Sequence, residues 1–149
     1  MELVVGPIAA GGGCVARAGD GRVVFVRHSL PGELVRVAVT EETSKFARGD
    51  AVQILEASAE RVAPQCYFAR PGGCGGCDFQ HASLSAQLSW KASLVTEHLR
   101  RIAGVTRDIE VITLSQDPHT RTRLHRHPHR ARRHTLHHHR RRSPNCATH

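Results

Sequence analysis

Cys66, Cys74 and Cys77 follow one another in the spacing Cys-x7-Cys-x2-Cys, and His81 comes after a further gap of three residues. Two thiolates two residues apart can grip one metal ion or one edge of a cluster. The neighbouring Gly72, Gly73, Gly75 and Gly76 let backbone amides approach the sulfurs closely. An iron–sulfur cluster would use all three thiolates and want a fourth ligand. A zinc ion could take His81 as the fourth, giving a Cys-Cys-Cys-His set. The plain alternative is three reduced thiols in a glycine loop. Cys14 stands apart in a predicted strand and reads as a small core residue. Cys146 could complete a cluster only if the C-terminal tail folded back.

Residues 63–80 hold Pro64, Pro71 and the four glycines, so the cysteines sit on a loop without regular structure. Before it come five short β-rich runs: Leu3–Val5, Cys14–Arg17, Arg22–Val26, Leu34–Val39 and Ala51–Leu55. Five short strands with tight connections suggest a small closed barrel or a sandwich, and a five-stranded Greek-key barrel fits this count and length. Ala18–Gly21 and Pro31–Gly32 supply the turn residues between them. In Leu34–Val39, Val35, Val37 and Val39 share one face, and Leu34, Arg36 and Ala38 share the other. Gly11–Gly13 precede a strand rather than a helix, so they read as a turn and not as a phosphate-cradling loop.

After the loop, Leu84, Leu88, Ala92, Val95, Leu99 and Ile102 recur at intervals of three and four. They predict an amphipathic helix of about 20 residues, capped by Ser83 and ended by Gly104. Asp108–Leu114 predicts one further strand.

The 149-residue chain carries 21 Lys and Arg against 13 Asp and Glu, a net charge of +8. That suggests nucleic-acid binding until the charge is located. Residues 118–149 hold nine arginines, nine of the twelve histidines and no acid, which leaves Met1–Asp117 with 12 basic and 13 acidic residues. Only Leu124, Ala131, Leu136, Cys146 and Ala147 are apolar in residues 118–149, which predicts a disordered basic tail. Its composition is what cytosine- and guanine-rich codons give when read out of frame, and an unselected sequence is the favoured reading. A basic RNA-binding arm or a histidine-rich metal buffer are the functional alternatives. No apolar run is long enough for a membrane span and no export signal is visible, so a cytoplasmic, soluble, monomeric chain is expected.

Several segments carry a resemblance. Gly-Cys-Val-Ala-Arg at 13–17, Val-Val-Phe-Val at 23–26, Leu-Pro-Gly-Glu at 30–33 and Arg61-Val62-x-Pro64-x-Cys66 look like the TRAM domain that begins many uracil-C5 RNA methyltransferases. Cys74-Gly-Gly-Cys-Asp-Phe-Gln-His81, with Gln87 and Lys91 after it, resembles the segment that follows that domain. The match covers about residues 2–114.

The resemblance implies a mainly β fold: a five-stranded OB-like barrel over 1–58 that binds RNA, and a cluster-binding loop over 59–82. A helix and strand over 83–116 would begin an incomplete central or catalytic domain, and the tail would occupy 117–149. By position Cys66, Cys74 and Cys77 match three of the family's four [4Fe–4S] ligands; the fourth lies further along in the family. The resemblance also implies S-adenosylmethionine as methyl donor. The family's cofactor loop, nucleophilic cysteine and carboxylate base have no counterpart in the sequence, so this chain by itself is expected to be inactive. A small barrel binds RNA by offering cations to phosphates and flat groups to unstacked bases. Arg17, Arg22, Arg27, His28, Lys45, Phe46 and Arg48 are the candidates, although such residues also occur as solvated surface positions, and Phe25 and Phe46 could equally belong to the core. A stand-alone zinc module and a basic RNA-coating protein acting through the tail are the competing functions.

Overall fold

The computed structural model describes residues 1–73 and 76–113. Five strands form a closed barrel in the order β1-β2-β3-β5-β4. They are β1 (Glu2–Ile8), β2 (Cys14–Arg17), β3 (Val23–Arg27), β4 (Leu34–Glu42) and β5 (Phe46–Glu56). Every pairing is antiparallel except β3 with β5, which run parallel from Val23 opposite Phe46 to Arg27 opposite Asp50. Closure leaves no exposed sheet edge, which stabilises so small an all-β unit.

The alternation in each strand fixes its inward face. Leu3 and Val5, Cys14 and Ala16, Val24 and Val26, Val35 and Val37, and Ala47 and Ala51 make one buried cluster. No aromatic side chain enters it, because small and β-branched residues fill so narrow a barrel. The turns are those read from the sequence. Gly21 and Gly32 take positive φ, and the Gly21 amide bonds the Ala18 carbonyl at 2.9 Å. Gly11 and Gly12 also have positive φ in the β1–β2 turn.

Strand β5 begins at Phe46, five residues before the apolar run that announces it. In Phe46–Asp50 the inward positions are Ala47 and Gly49, too small to register as a hydrophobic period.

Helix α1 spans Leu84–His98, with Ser83 as N-cap accepting from the Ala86 amide at 3.2 Å. A wider π-type turn, Leu99–Ala103, continues it and ends at Gly104, which adopts the left-handed conformation. The apolar stripe remains largely uncovered: Leu84, Val95 and Ile102 are exposed, and only Ala86 in α1 is buried. Of the strand expected over Asp108–Leu114, the described residues 108–113 form none. Residues 104–113 are irregular, because a β-rich run without a neighbouring strand has nothing to satisfy its backbone. Leu114 and the basic tail lie outside the described residues. Among the described residues no helix is long and apolar enough to cross a membrane.

Candidate functional site

Because Val24, Val26, Ala47, Gly49 and Ala51 point inward, the alternate residues Val23, Phe25, Arg27, Phe46, Arg48 and Asp50 face outward on β3 and β5. The parallel register sets Phe25 beside Arg48 and Val23 beside Phe46. The Phe25 and Phe46 rings meet edge to face with centroids 6.0 Å apart, and the Arg48 guanidinium lies 5.0 Å from the Phe46 centroid. On β2, Arg17 stands opposite Val23 and Val15 opposite Phe25. The result is a half-exposed platform of two rings and one stacked guanidinium, with Arg17 at its margin.

The remaining candidates separate by their partners. Arg22 is engaged by Asp20 at 3.2 Å, by Glu42 at 2.6 Å and by the Thr43 carbonyl, and its side chain is only 24% exposed. It holds the β2–β3 turn to the end of β4. Arg48 pairs with Glu41 at 2.8 Å on the open surface, a contact worth at most about 1 kcal/mol and readily exchanged for phosphate. Arg27 lies 3.8 Å from Asp78, and Lys45 is exposed in the β4–β5 turn. His28 belongs to a different neighbourhood: it holds a left-handed φ of 60° after β3, and its carbonyl accepts from Arg61 at 3.0 Å.

Arg61 also forms a two-pronged charged contact with a buried carboxylate. Its Nε and Nη2 donate to the two oxygens of Glu33 at 2.5 and 2.6 Å, and the amides of Leu30 and Ser58 donate to the same carboxylate. Glu33 is fully buried. Burial alone would raise its pKa, but the Arg61 contact and the two amides outweigh it and hold the carboxyl below its ordinary range. Leu-Pro-Gly-Glu and Arg-Val-x-Pro, 28 residues apart in sequence, are thus the two halves of one latch.

The latch fastens the cysteine loop to one end of the barrel. Arg61 bridges Ala82, the Val62 amide bonds the His81 carbonyl, and Ser83 bonds Glu60. Asp78 packs on Gly12 so closely that a Cβ there would lie 2.5 Å from its Cγ. Cys66 is buried, with its amide donating to the Gln80 side chain at 3.1 Å, while Cys77 is exposed. Gly73 folds back so tightly that a Cβ would meet the Phe68 carbonyl oxygen at 2.1 Å, so the loop between Cys66 and Cys74 needs glycine there. Cys74 and Gly75 lie outside the described residues. Among the described residues no three His, Cys, Asp or Glu side chains converge as a metal site.

His81 is buried between Phe79 and His28, its Nε2 3.4 Å from the Ser29 carbonyl. Burial, with Arg61 nearby, lowers its pKa from 6.5 to about 4. The unfolded chain therefore binds a proton in the window from pH 6.5 to about 4 that the folded chain refuses, so stability falls as the pH drops through it. The melting temperature should decline by several degrees across that window, and His81→Gln should flatten the decline. An unchanged profile in the variant would show that His81 is not the group responsible. Cys14 is equally sheltered: burial pushes its thiol up to about 11, consistent with an inert core residue.

Comparison with known proteins supplies the context. The TRAM domain family matches residues 2–52, which is the barrel up to the middle of β5. An uncharacterised RNA methyltransferase of Streptomyces avermitilis is 51% identical over 107 residues, covering 70% of this chain and 25% of its own length. A Streptomyces coelicolor protein of the same description is 53% identical over 107 residues, covering 70% and 23%. The 23S rRNA (uracil(1939)-C(5))-methyltransferase RlmD of Halomonas elongata is 44% identical over 100 residues, covering 67% and 20%. Residues 2–52 belong to the TRAM domain family, and over about two thirds of its length the chain is similar to RNA methyltransferases. It corresponds to the N-terminal part and spans about a quarter of the length of the relatives it matches. The platform on β3 and β5 is therefore the outer face of a TRAM barrel, and the latched loop is the segment that follows that barrel.

Sequence reasoning named Phe46 and Arg48 but not the part Phe25 plays beside them. The outward parity of Val23, Phe25 and Arg27 against buried Val24 and Val26 was the available signal. It also missed Tyr67 and Arg70 on the cysteine loop, where an aromatic and an arginine three residues apart stack with 4.0 Å from guanidinium to ring centroid.

Proposed function

We propose that this chain is the RNA-binding, cysteine-containing N-terminal part of an S-adenosylmethionine-dependent RNA uracil-C5 methyltransferase working in the cytoplasm. The observation that carries the RNA reading is the platform of Phe25, Phe46 and Arg48, excluded from the core and turned outward beside Arg17 and Lys45. Rings and a guanidinium plane at this spacing can stack unstacked bases, and the neighbouring cations can meet phosphates. Arg27 serves at the margin, whereas Arg22 and His28 act by holding turns in place. Such a surface suits a single strand or loop more than a duplex, whose bases are not open to stacking.

The donor chemistry of the loop suits an iron–sulfur cluster. Cys66 and Cys77 are free thiols, and the chain folds back tightly at Gly73 between them. Cys66, Cys74 and Cys77 would hold the cluster, with a fourth ligand from elsewhere. When bound, such a cluster would cross-link the loop and fix its shape. Zinc through His81 has less support, since that ring is buried against Ser29 and Phe79.

The test is binding of a uridine-rich single strand to the full chain, with ultraviolet cross-linking to locate the contact. Phe25→Ala and Phe46→Ala should each weaken binding by roughly 5- to 150-fold, since each stacked base contributes about 1–3 kcal/mol. If the basic tail alone carried the RNA, both variants would bind like the parent, with a log–log salt slope near about −6. That outcome would defeat the platform.

A further inference from the structure

Tyr67 and Arg70 repeat, on the cysteine loop, the arrangement of Phe46 and Arg48 on the barrel: a guanidinium stacked on an accessible ring. Tyr67 is 66% exposed, with Phe68 edge-on to it at 5.4 Å. Among the described residues Arg70 has no acidic partner, unlike Arg48 and Arg61. Beside this pair a cleft of about 210 Å³ opens between the second half of β5 and the loop, lined among others by Val52, Gln53, Pro64, Arg70 and Pro71.

The outward residues of β5 join the two clusters. Phe46, Arg48, Asp50 and Val52 alternate along one face, and Val52, which is exposed, reaches the cleft. At about 3.3 Å per residue, Arg48 and Val52 are roughly 13 Å apart along the strand. Asp50 is the acid on this line, and it stands opposite Arg27 in the β3–β5 register, which offsets its charge toward a polyanion.

We infer that the cleft with Tyr67 and Arg70 is a second nucleotide-binding position, so that one single strand of RNA runs along the outside of β5 from Phe46 and Arg48 to the cysteine loop. Tyr67 offers its ring to a base, Arg70 offers its free charge to a phosphate, and Gln53 and the two prolines shape the cleft. The inference rests on the RNA-binding reading above and deepens it: the ligand is a strand long enough to span both positions, and the loop becomes part of the RNA surface.

The experiment uses the full chain at elevated salt, where the tail's phosphate contribution is suppressed. The probes are oligouridylates of about 4 and about 12 nucleotides, a short and a long strand within the range of about 4–16 that a small barrel engages. The expected result is that the longer strand cross-links at both Phe46 and Tyr67. Tyr67→Ala and Arg70→Gln should weaken it about tenfold while changing the affinity of the shorter strand much less, and Tyr67→Phe should restore binding. If Phe46→Ala weakens the longer strand while Tyr67→Ala and Arg70→Gln leave it unchanged and no Tyr67 adduct forms, the second position is overturned and the barrel reading stands. If none of the variants changes binding, both fail together. Because Tyr67 lies on the surface, unchanged far-ultraviolet circular dichroism of its variants separates loss of contact from loss of fold.

Discussion

Arg61→Ala is expected to destabilise the folded chain by about 3–5 kcal/mol, the cost of leaving a buried carboxylate without its cation. Glu33 is fully buried, and two of its four hydrogen bonds come from Arg61. The other two, from the Leu30 and Ser58 amides, remain in the variant. Because the Arg61 side chain is 21% exposed, water can enter the space it vacates, which favours the lower end of the range. Glu33→Ala removes the charge but leaves those two amides without a partner, at about 1–3 kcal/mol each. The double variant should cost less than the sum of the two singles, because each single strands what the other removes. Urea midpoints of the four proteins at neutral pH measure all of this. Arg61→Ala within about 1 kcal/mol of the parent would refute the latch. Acid adds an independent check: the Glu33 carboxyl titrates below its ordinary range, so its stabilisation is present above about pH 4.5 and lost as the pH falls through the lower folded value.

The latch also shows why some of the molecule was legible in its sequence and some was not. The barrel was legible because Val24 and Val26, or Val35 and Val37, declare period two with large side chains. The first half of β5 was not, because Ala47 and Gly49 fill the same inward role with almost no hydrophobic signal. Glu33 and Arg61 were visible as motif residues, yet nothing local pairs them: both look like ordinary surface charges until the β3–β4 turn and the segment after β5 meet at one end of the barrel. The platform was partly visible for the same reason. Phe25 reads as core by composition, and only the closed barrel shows that core positions are already filled by smaller side chains. The run Asp108–Thr113 failed in the opposite sense: its pattern is that of a strand, but pattern without a pairing partner makes no ladder. The cysteine spacing announces chemistry without geometry, since a loop of glycines and prolines has no period from which to place a sulfur.

Gly49→Ala is expected to destabilise the barrel by about 1–3 kcal/mol, although one methyl group is added in a strand where alanine is otherwise acceptable. A Cβ at this position would lie 2.5 Å from Cγ1 of Val37 and 2.6 Å from the carbonyl oxygen of Ala38. Val37 is a buried, β-branched core residue whose χ1 has little freedom. The Ala38 carbonyl belongs to β4, so no rotamer change can move it aside. The strain must spread into the β4–β5 pairing, where Gly49 stands opposite Val39, and into β3, where it stands opposite Val26. Gly19→Ala is the matched control: open space surrounds that position and its φ is not in the left-handed region, so the change should be neutral or stabilise by up to about 1 kcal/mol. Thermal and urea denaturation of the two variants measures the contrast, and equal midpoints would show that β4 and β5 are not packed as closely as described. The consequence reaches the site. Phe46 and Arg48 are carried by the same stretch of β5 as Gly49, so a strand pushed off β4 displaces the ring and guanidinium from Phe25. Cross-linking of a uridine-rich strand to Phe46 should therefore fall in Gly49→Ala even at temperatures where the barrel stays folded, while Gly19→Ala leaves it unchanged.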